Sequence, residues 1–137
     1  MIKTLLIPVL LLSACLAYAQ ADQTAIKSMF ARQTLALNKQ DLASYMSTID
    51  PKSPAYAQTE KGMKSVFATF KLSFTADSLK IESVKGTSAQ VLMVLSTRKI
   101  SGGAFRNNRS TIEHTLIKRN GKWFTTDSKM TKVEYMK

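Results

Sequence analysis

The chain's only histidine and a nearby aspartate are the residues with the clearest chemistry. Asn120-Gly121 is the strongest hairpin signal in the 137-residue chain, because both residues accept the positive φ that a two-residue turn demands. Counting back from a pair at Arg119 and Lys122 sets His114 opposite Asp127 on one face, provided no β-bulge intervenes. A carboxylate holding an imidazole is how a general base is oriented and kept basic, so His114 and Asp127 form the candidate catalytic pair. The plainer alternative is a cross-strand contact near a sheet end. A single histidine cannot build a histidine-based metal site, so no metal is expected. Neither a phosphate-binding loop nor a Ser/His/Asp arrangement is written in the chain, and no cofactor is expected.

Two further groups of residues are candidates. Arg98, Arg106, Arg109 and Arg119 gather, with neighbouring lysines, around two strand ends and the loop from Ser101 to Ser110, and could hold an anionic group. A solvated sheet edge that resists self-association accounts for the same charges. Phe30, Tyr45, Phe67, Phe70 and Trp123 recur at core spacing and are candidates to line a ligand pocket, with plain core packing as the alternative.

The elements that must position these groups begin after a leader. Lys3, an apolar run from Leu5 to Leu12 and the small-residue pattern Ala17-Tyr18-Ala19 read as a secretory signal over residues 1–21. Residues 22–137 are then one mature domain, periplasmic or secreted. Leu12-Ser13-Ala14-Cys15 also fits a lipobox, so an outer-membrane lipoprotein with lipid on Cys15 is the alternative and the one route to membrane attachment. The chain carries 20 basic and 9 acidic residues, a net charge of +11. Such a balance usually points to nucleic acid. Export argues against nucleic acid and leaves an acidic envelope protein or an anionic ligand, or simply solubility, as its meaning.

The mature part divides into helices and then strands. An amphipathic helix is predicted from Asp22 to about Asn38, with Ile26, Met29, Phe30, Thr34 and Leu37 on one stripe. Asp41 can cap a short second helix, ended by Asp50-Pro51. A third starts near Ser53-Pro54 and runs to about Lys71. Extended segments follow at Phe74–Val84, Ala89–Lys99, Ile112–Lys118 and Trp123–Tyr135. This is an α+β pattern: N-terminal helices packed on a curved antiparallel sheet of about four strands. The unbroken run Val91 to Leu95 suits a strand covered on both faces, so a homodimer is expected to hide its outer face.

The order of elements resembles the nuclear transport factor 2-like superfamily, the cone-shaped fold of ketosteroid isomerase-like and polyketide cyclase-like domains. The similar stretches are Asn38 to Met46, Val91 to Arg98 and His114 to Trp123. The resemblance implies a pocket between helices and sheet, and it implies no particular reaction, because this fold hosts enzymes and binding modules alike. The expected function is an exported, non-enzymatic domain that binds a small amphipathic ligand or a protein partner in the envelope. Two alternatives stay open: a small isomerase- or dehydratase-like enzyme using His114 and Asp127, and an immunity or inhibitor protein acting through its basic face.

Overall fold

A computed structural model describes the backbone of residues 7–137 and the side chains from Ala19 onward. Lys3 of the leader and the side chain of Cys15 therefore lie outside the described residues. Among those described, no helix is long and apolar enough to cross a membrane.

Helix α1 spans Ile7–Lys39. Its buried stripe is Ile26, Met29, Phe30, Gln33, Ala36 and Leu37, the i, i+3, i+4 spacing of a helix lying on a sheet. Gln33 and Ala36 take the place expected of Thr34, which is only half-buried. The Gln33 amide is satisfied inside by donating to Thr48 Oγ1 at 2.9 Å. Gln40 ends the helix with φ of 53°, and Asp41 then caps α2, Leu42–Met46, by accepting from the Ser44 N–H at 3.1 Å. Helix α3 is Tyr56–Thr69, starting two residues beyond Pro54 because Ser53 and Asp50 close a turn there first. It passes straight into the sheet at Phe70.

The four strands, β1 Phe70–Lys85, β2 Ser88–Gly102, β3 Asn108–Arg119 and β4 Lys122–Tyr135, form one antiparallel sheet in the order β1-β2-β3-β4. Asn120 and Gly121 have φ of 51° and 76° and Arg119 pairs with Lys122, so the hairpin is the one that the sequence predicts. Register shifts at Ala76/Ser78 and Ile81/Ser83 on β1, and at Thr111/Ile112 and Thr115/Leu116 between β3 and β4, curve the sheet around the helices. Its inner face supplies Ala89, Val91, Met93, Leu116 and Trp123, which pack with Ile26, Met29 and Phe30 of α1 into the core. Within the apolar run, Val91 and Met93 are buried inward, while Leu92 and Val94 are half-buried on the outer face.

Two part-buried polar ties fix the helical half to the β3–β4 hairpin. Asp22 accepts from Lys118 Nζ at 2.9 Å and from the indole N–H of Trp123 at 3.1 Å. Asp50 accepts a fork from Arg119, at 3.1 Å from Nε and 3.3 Å from Nη2, and takes the Lys52 N–H at 3.0 Å. Burial pushes the Asp50 carboxyl up, and the guanidinium and the amide together pull it below the ordinary carboxylate value.

Candidate functional site

The curvature leaves the inner face of the sheet uncovered beyond α1, at the end where β1 begins and β4 finishes. Met63 and Val66 of α3, Phe70 and Phe74 of β1, Phe105 and Met130 line a cleft there of about 260 Å³. Gly102 makes this end possible. Its φ is 112°, and a Cβ would meet the Thr69 carbonyl oxygen at 2.5 Å and Phe70 Cα at 2.9 Å, so no other residue fits. The chain then folds back, and the rings of Phe105 and Phe70 meet at 5.5 Å with a 58° tilt. Asn107 closes the loop by accepting the Lys99 N–H at 2.7 Å on its side chain and the Met136 N–H at 2.9 Å on its carbonyl. Gly102, Phe105 and the structural use of Asn107 escaped the sequence reading; Ser101-Gly102-Gly103 signals a turn but not what the turn must approach.

A bulge separates the candidate catalytic pair. His114 pairs with Ser128, while Asp127 pairs with Thr115, because Thr126 is an extra residue on β4. The insertion has a visible cause. Thr125 donates its N–H to Thr48 O and accepts the Asp50 N–H, each at 2.9 Å, so the α2–α3 loop adds a short parallel bridge there. His114 is 6% exposed against the Phe30 ring at 5.0 Å, and its Nδ1 lies 2.7 Å from Ser128 Oγ. Nε2 has no hydrogen-bond partner among the described residues. Burial lowers the imidazole pKa to about 4. His114 therefore sits neutral in the core, and exposed Asp127 does not hold it.

The five aromatic candidates do not share a pocket. Phe30 and Trp123 are core, 2% and 4% exposed. Phe70 lines the cleft, and Tyr45 borders a separate recess with Ile49, Ser53 and Asp127. Half-buried Phe67 gives its carbonyl to Gln40 Nε2 at 3.2 Å. The four arginines do not converge either. Arg119 is bound to Asp50, and Arg109 donates to Asp77 at 3.0 Å. The Arg106 guanidinium lies 4.1 Å over the Tyr135 ring. Arg98 is exposed near Asp77, whose carboxyl is lowered first by the Ser96 hydroxyl and then by Arg109.

A second opening lies between α1 and the edge strand β1. It is a groove of about 420 Å³ lined by Lys27, Ala31, Leu35, Leu79 and Met93 among others, with Leu35 54% exposed at its rim. The opposite edge of the sheet, at Thr125 and Thr126, is covered by the α2–α3 loop, where Ser53 Oγ also donates to Thr126 O at 2.6 Å.

Comparison with known proteins gives both fold and family. A cystatin-like-fold protein from Nostoc punctiforme superposes with a TM-score of 0.66 at 16% identity, covering 80% of this chain and 90% of that one. An NTF-2 like protein from Shewanella oneidensis gives 0.63 at 16% identity, covering 80% and 98%. These likenesses establish the cone-shaped nuclear transport factor 2-like fold alone. In sequence, the chain is 31% identical over 102 residues to anti-sigma-I factor RsgI9 of Acetivibrio thermocellus, covering 74% of this chain and 14% of that much longer protein. The family described as anti-sigma-I factor RsgI9, C-terminal domain, matches residues 28–136. That match overturns the expected function, a domain binding a small amphipathic ligand or an envelope partner, and with it the isomerase-like and inhibitor alternatives. From the latter part of α1 to the end of β4, the chain belongs to the family of anti-sigma-I factor RsgI9 C-terminal domains.

Proposed function

We propose that the chain is a regulatory domain of a sigma-I control system and works by engaging a protein partner. The observation that carries this reading is the family match over residues 28–136, which takes in the whole sheet, α2, α3 and α1 from Ser28 onward. The relative is by name an anti-sigma-I factor, and this chain spans only 14% of it. A unit of that size contributes one role within a larger regulator. The charge balance favours an acidic partner. Asp22, Asp50, Asp77 and Glu134, four of the nine acidic residues, are tied to cations of the chain itself, so the positive excess faces outward.

The test is genetic. Deleting the coding region in its own host is expected to change expression from a sigma-I-dependent promoter several-fold while leaving a housekeeping promoter alone. Equal output from the sigma-I promoter with and without the gene would overturn the reading.

A further inference from the structure

The sheet has two edges, and they are treated differently. The β4 edge is closed at Thr125 and Thr126 by the α2–α3 loop. The β1 edge is a 16-residue strand without proline, and side chains occupy it at two points among the described residues, with Gln40 Nε2 donating to the Phe70 carbonyl at 2.7 Å and Asn38 bound at Phe74. There the Asn38 carboxamide accepts the Phe74 N–H at 2.8 Å and donates to the Phe74 carbonyl at 2.9 Å. Those are the two bonds that a residue of a neighbouring antiparallel strand exchanges. Asn38 thus acts as a single residue of a missing strand.

The register extends the argument along β1. Phe74 points its N–H and C=O away from β2, so by alternation through the bulges Ala76, Leu79, Ile81 and Val84 do the same. No backbone or side-chain group among the described residues bonds to these four. Beside them runs the groove under α1, with exposed Leu35 on one wall and half-buried Leu79 on the other. A helix facing an open strand edge offers main-chain pairing on one side and apolar pockets for alternate side chains on the other.

We propose that this edge and groove dock an extended acidic segment of a protein partner by strand addition. Charge selects the occupant. Lys27 lines the groove and Lys71, Lys80 and Lys85 lie on β1, whereas Arg32 and Lys39 line a separate recess between α1 and α2. Of the carboxylates on α1 and β1, Asp22 is bound to Lys118 and Asp77 to Arg109, leaving Glu82 against the four cations of the groove and edge. The same lysines oppose a second copy of this chain, whose β1 would bring like charge to the edge. An acidic strand meets no such opposition.

The proposal deepens the protein-partner reading and is tested apart from it, with defined peptides and no sigma factor. The probe is an end-blocked nonapeptide alternating valine and glutamate, titrated into the isotope-labelled chain and followed by backbone amide shifts. Saturable shifts are expected at Ala76, Leu79, Ile81 and Val84. Affinity is expected to fall at least tenfold when alternate peptide amides are N-methylated, when lysine replaces glutamate, and in the Lys27→Glu chain. Ala76→Pro is expected to do the same, because it removes an outward N–H from an exposed position without touching the β2 ladder. Circular dichroism and an unchanged melting temperature check that each variant is folded. Four outcomes would overturn strand addition: no saturable binding, binding that ignores N-methylation, shifts confined to the cleft at Phe70 and Phe105, or peptide-free sedimentation as a dimer that Ala76→Pro dissolves. Peptide binding of the expected kind beside an unresponsive sigma-I promoter would sink the regulatory reading and leave strand addition standing.

Discussion

His114 is the one histidine of the chain, and its burial beside Phe30 and Ser128 turns it into a stability device. Its folded pKa is lowered to about 4, against an ordinary 6.5, because burial penalises the charged ring. Between those values the unfolded chain binds a proton that the folded chain refuses. Stability is therefore complete above pH 6.5 and falls as the pH drops toward 4, by about 3 kcal/mol in all. The carboxylates with lowered values, such as Asp22 and Asp77, also lose stability toward acid, but their window opens below their ordinary 3.8. Glu134, lowered from an ordinary 4.5 by Lys132, begins to contribute near that value, so the interval from about 5.5 to 6.5 is the one that reports His114. Urea unfolding across pH 5.5–7.5 is expected to show that slope in the native chain and a nearly flat line in His114→Leu. An equal slope in both chains would mean that the ring titrates normally. Residue type announced a titratable group here; only the packing around it decided that the group stays neutral.

Elements were legible where a local signal dominates. The Asn120-Gly121 turn, the Asp41 cap and the change from helical to strand period each follow from neighbours in sequence. The bulges were not legible, because their causes are remote. The extra residue Thr126 answers to Thr48 and Asp50, more than seventy positions earlier, and it moves His114 from Asp127 to Ser128. Separation in sequence likewise hid the pairing of Asn38 with Phe74 and the close approach of Gly102 to Thr69. Helix α1 supplies a test of the leader. Residues 19–21 are exposed, and the first anchored side chain is Asp22, held by Lys118 and Trp123. We propose that export removes the leader after Ala19 or Ala21, which leaves every anchor of the domain in place. Mass spectrometry of protein recovered from a secretion-competent host is expected to find Gln20 or Asp22 as the first residue. A start at Gln23 or later, or a lipid-modified Cys15, would refute this. A chain begun at Gln23 is also expected to melt several degrees lower, since roughly 1 kcal/mol moves the midpoint of a domain this size by about 3–6 °C.

For the whole molecule, family and fold speak to different questions. The sheet and helices place the chain in a fold shared by proteins with many roles, and the match over residues 28–136, which gives its family, is what supports the proposed regulatory role. Charge then governs how the molecule associates. The outer face of the sheet carries half-buried Leu92 and Val94 at its centre, an apolar strip that a second copy would cover. Around that strip the register places Lys80 and Ser78 on β1, Glu113 and Thr111 on β3, and Lys129 and Lys132 on β4. Two such faces bring three lysines each against one another, within a chain of net charge +11. Hydrophobic burial favours the pair and Coulomb repulsion opposes it, so their balance depends on salt. At an ionic strength of 1 M the screening length shrinks to about 3 Å, from about 10 Å at 0.1 M, and repulsion between the faces fades while burial persists. Sedimentation equilibrium is therefore expected to show mostly monomer at low salt and a growing dimer fraction as salt rises. Leu92→Lys is expected to abolish the dimer at every salt concentration without unfolding the chain. A monomer at high micromolar concentration in 1 M salt would mean that the strip at Leu92 and Val94 stays uncovered by a second copy.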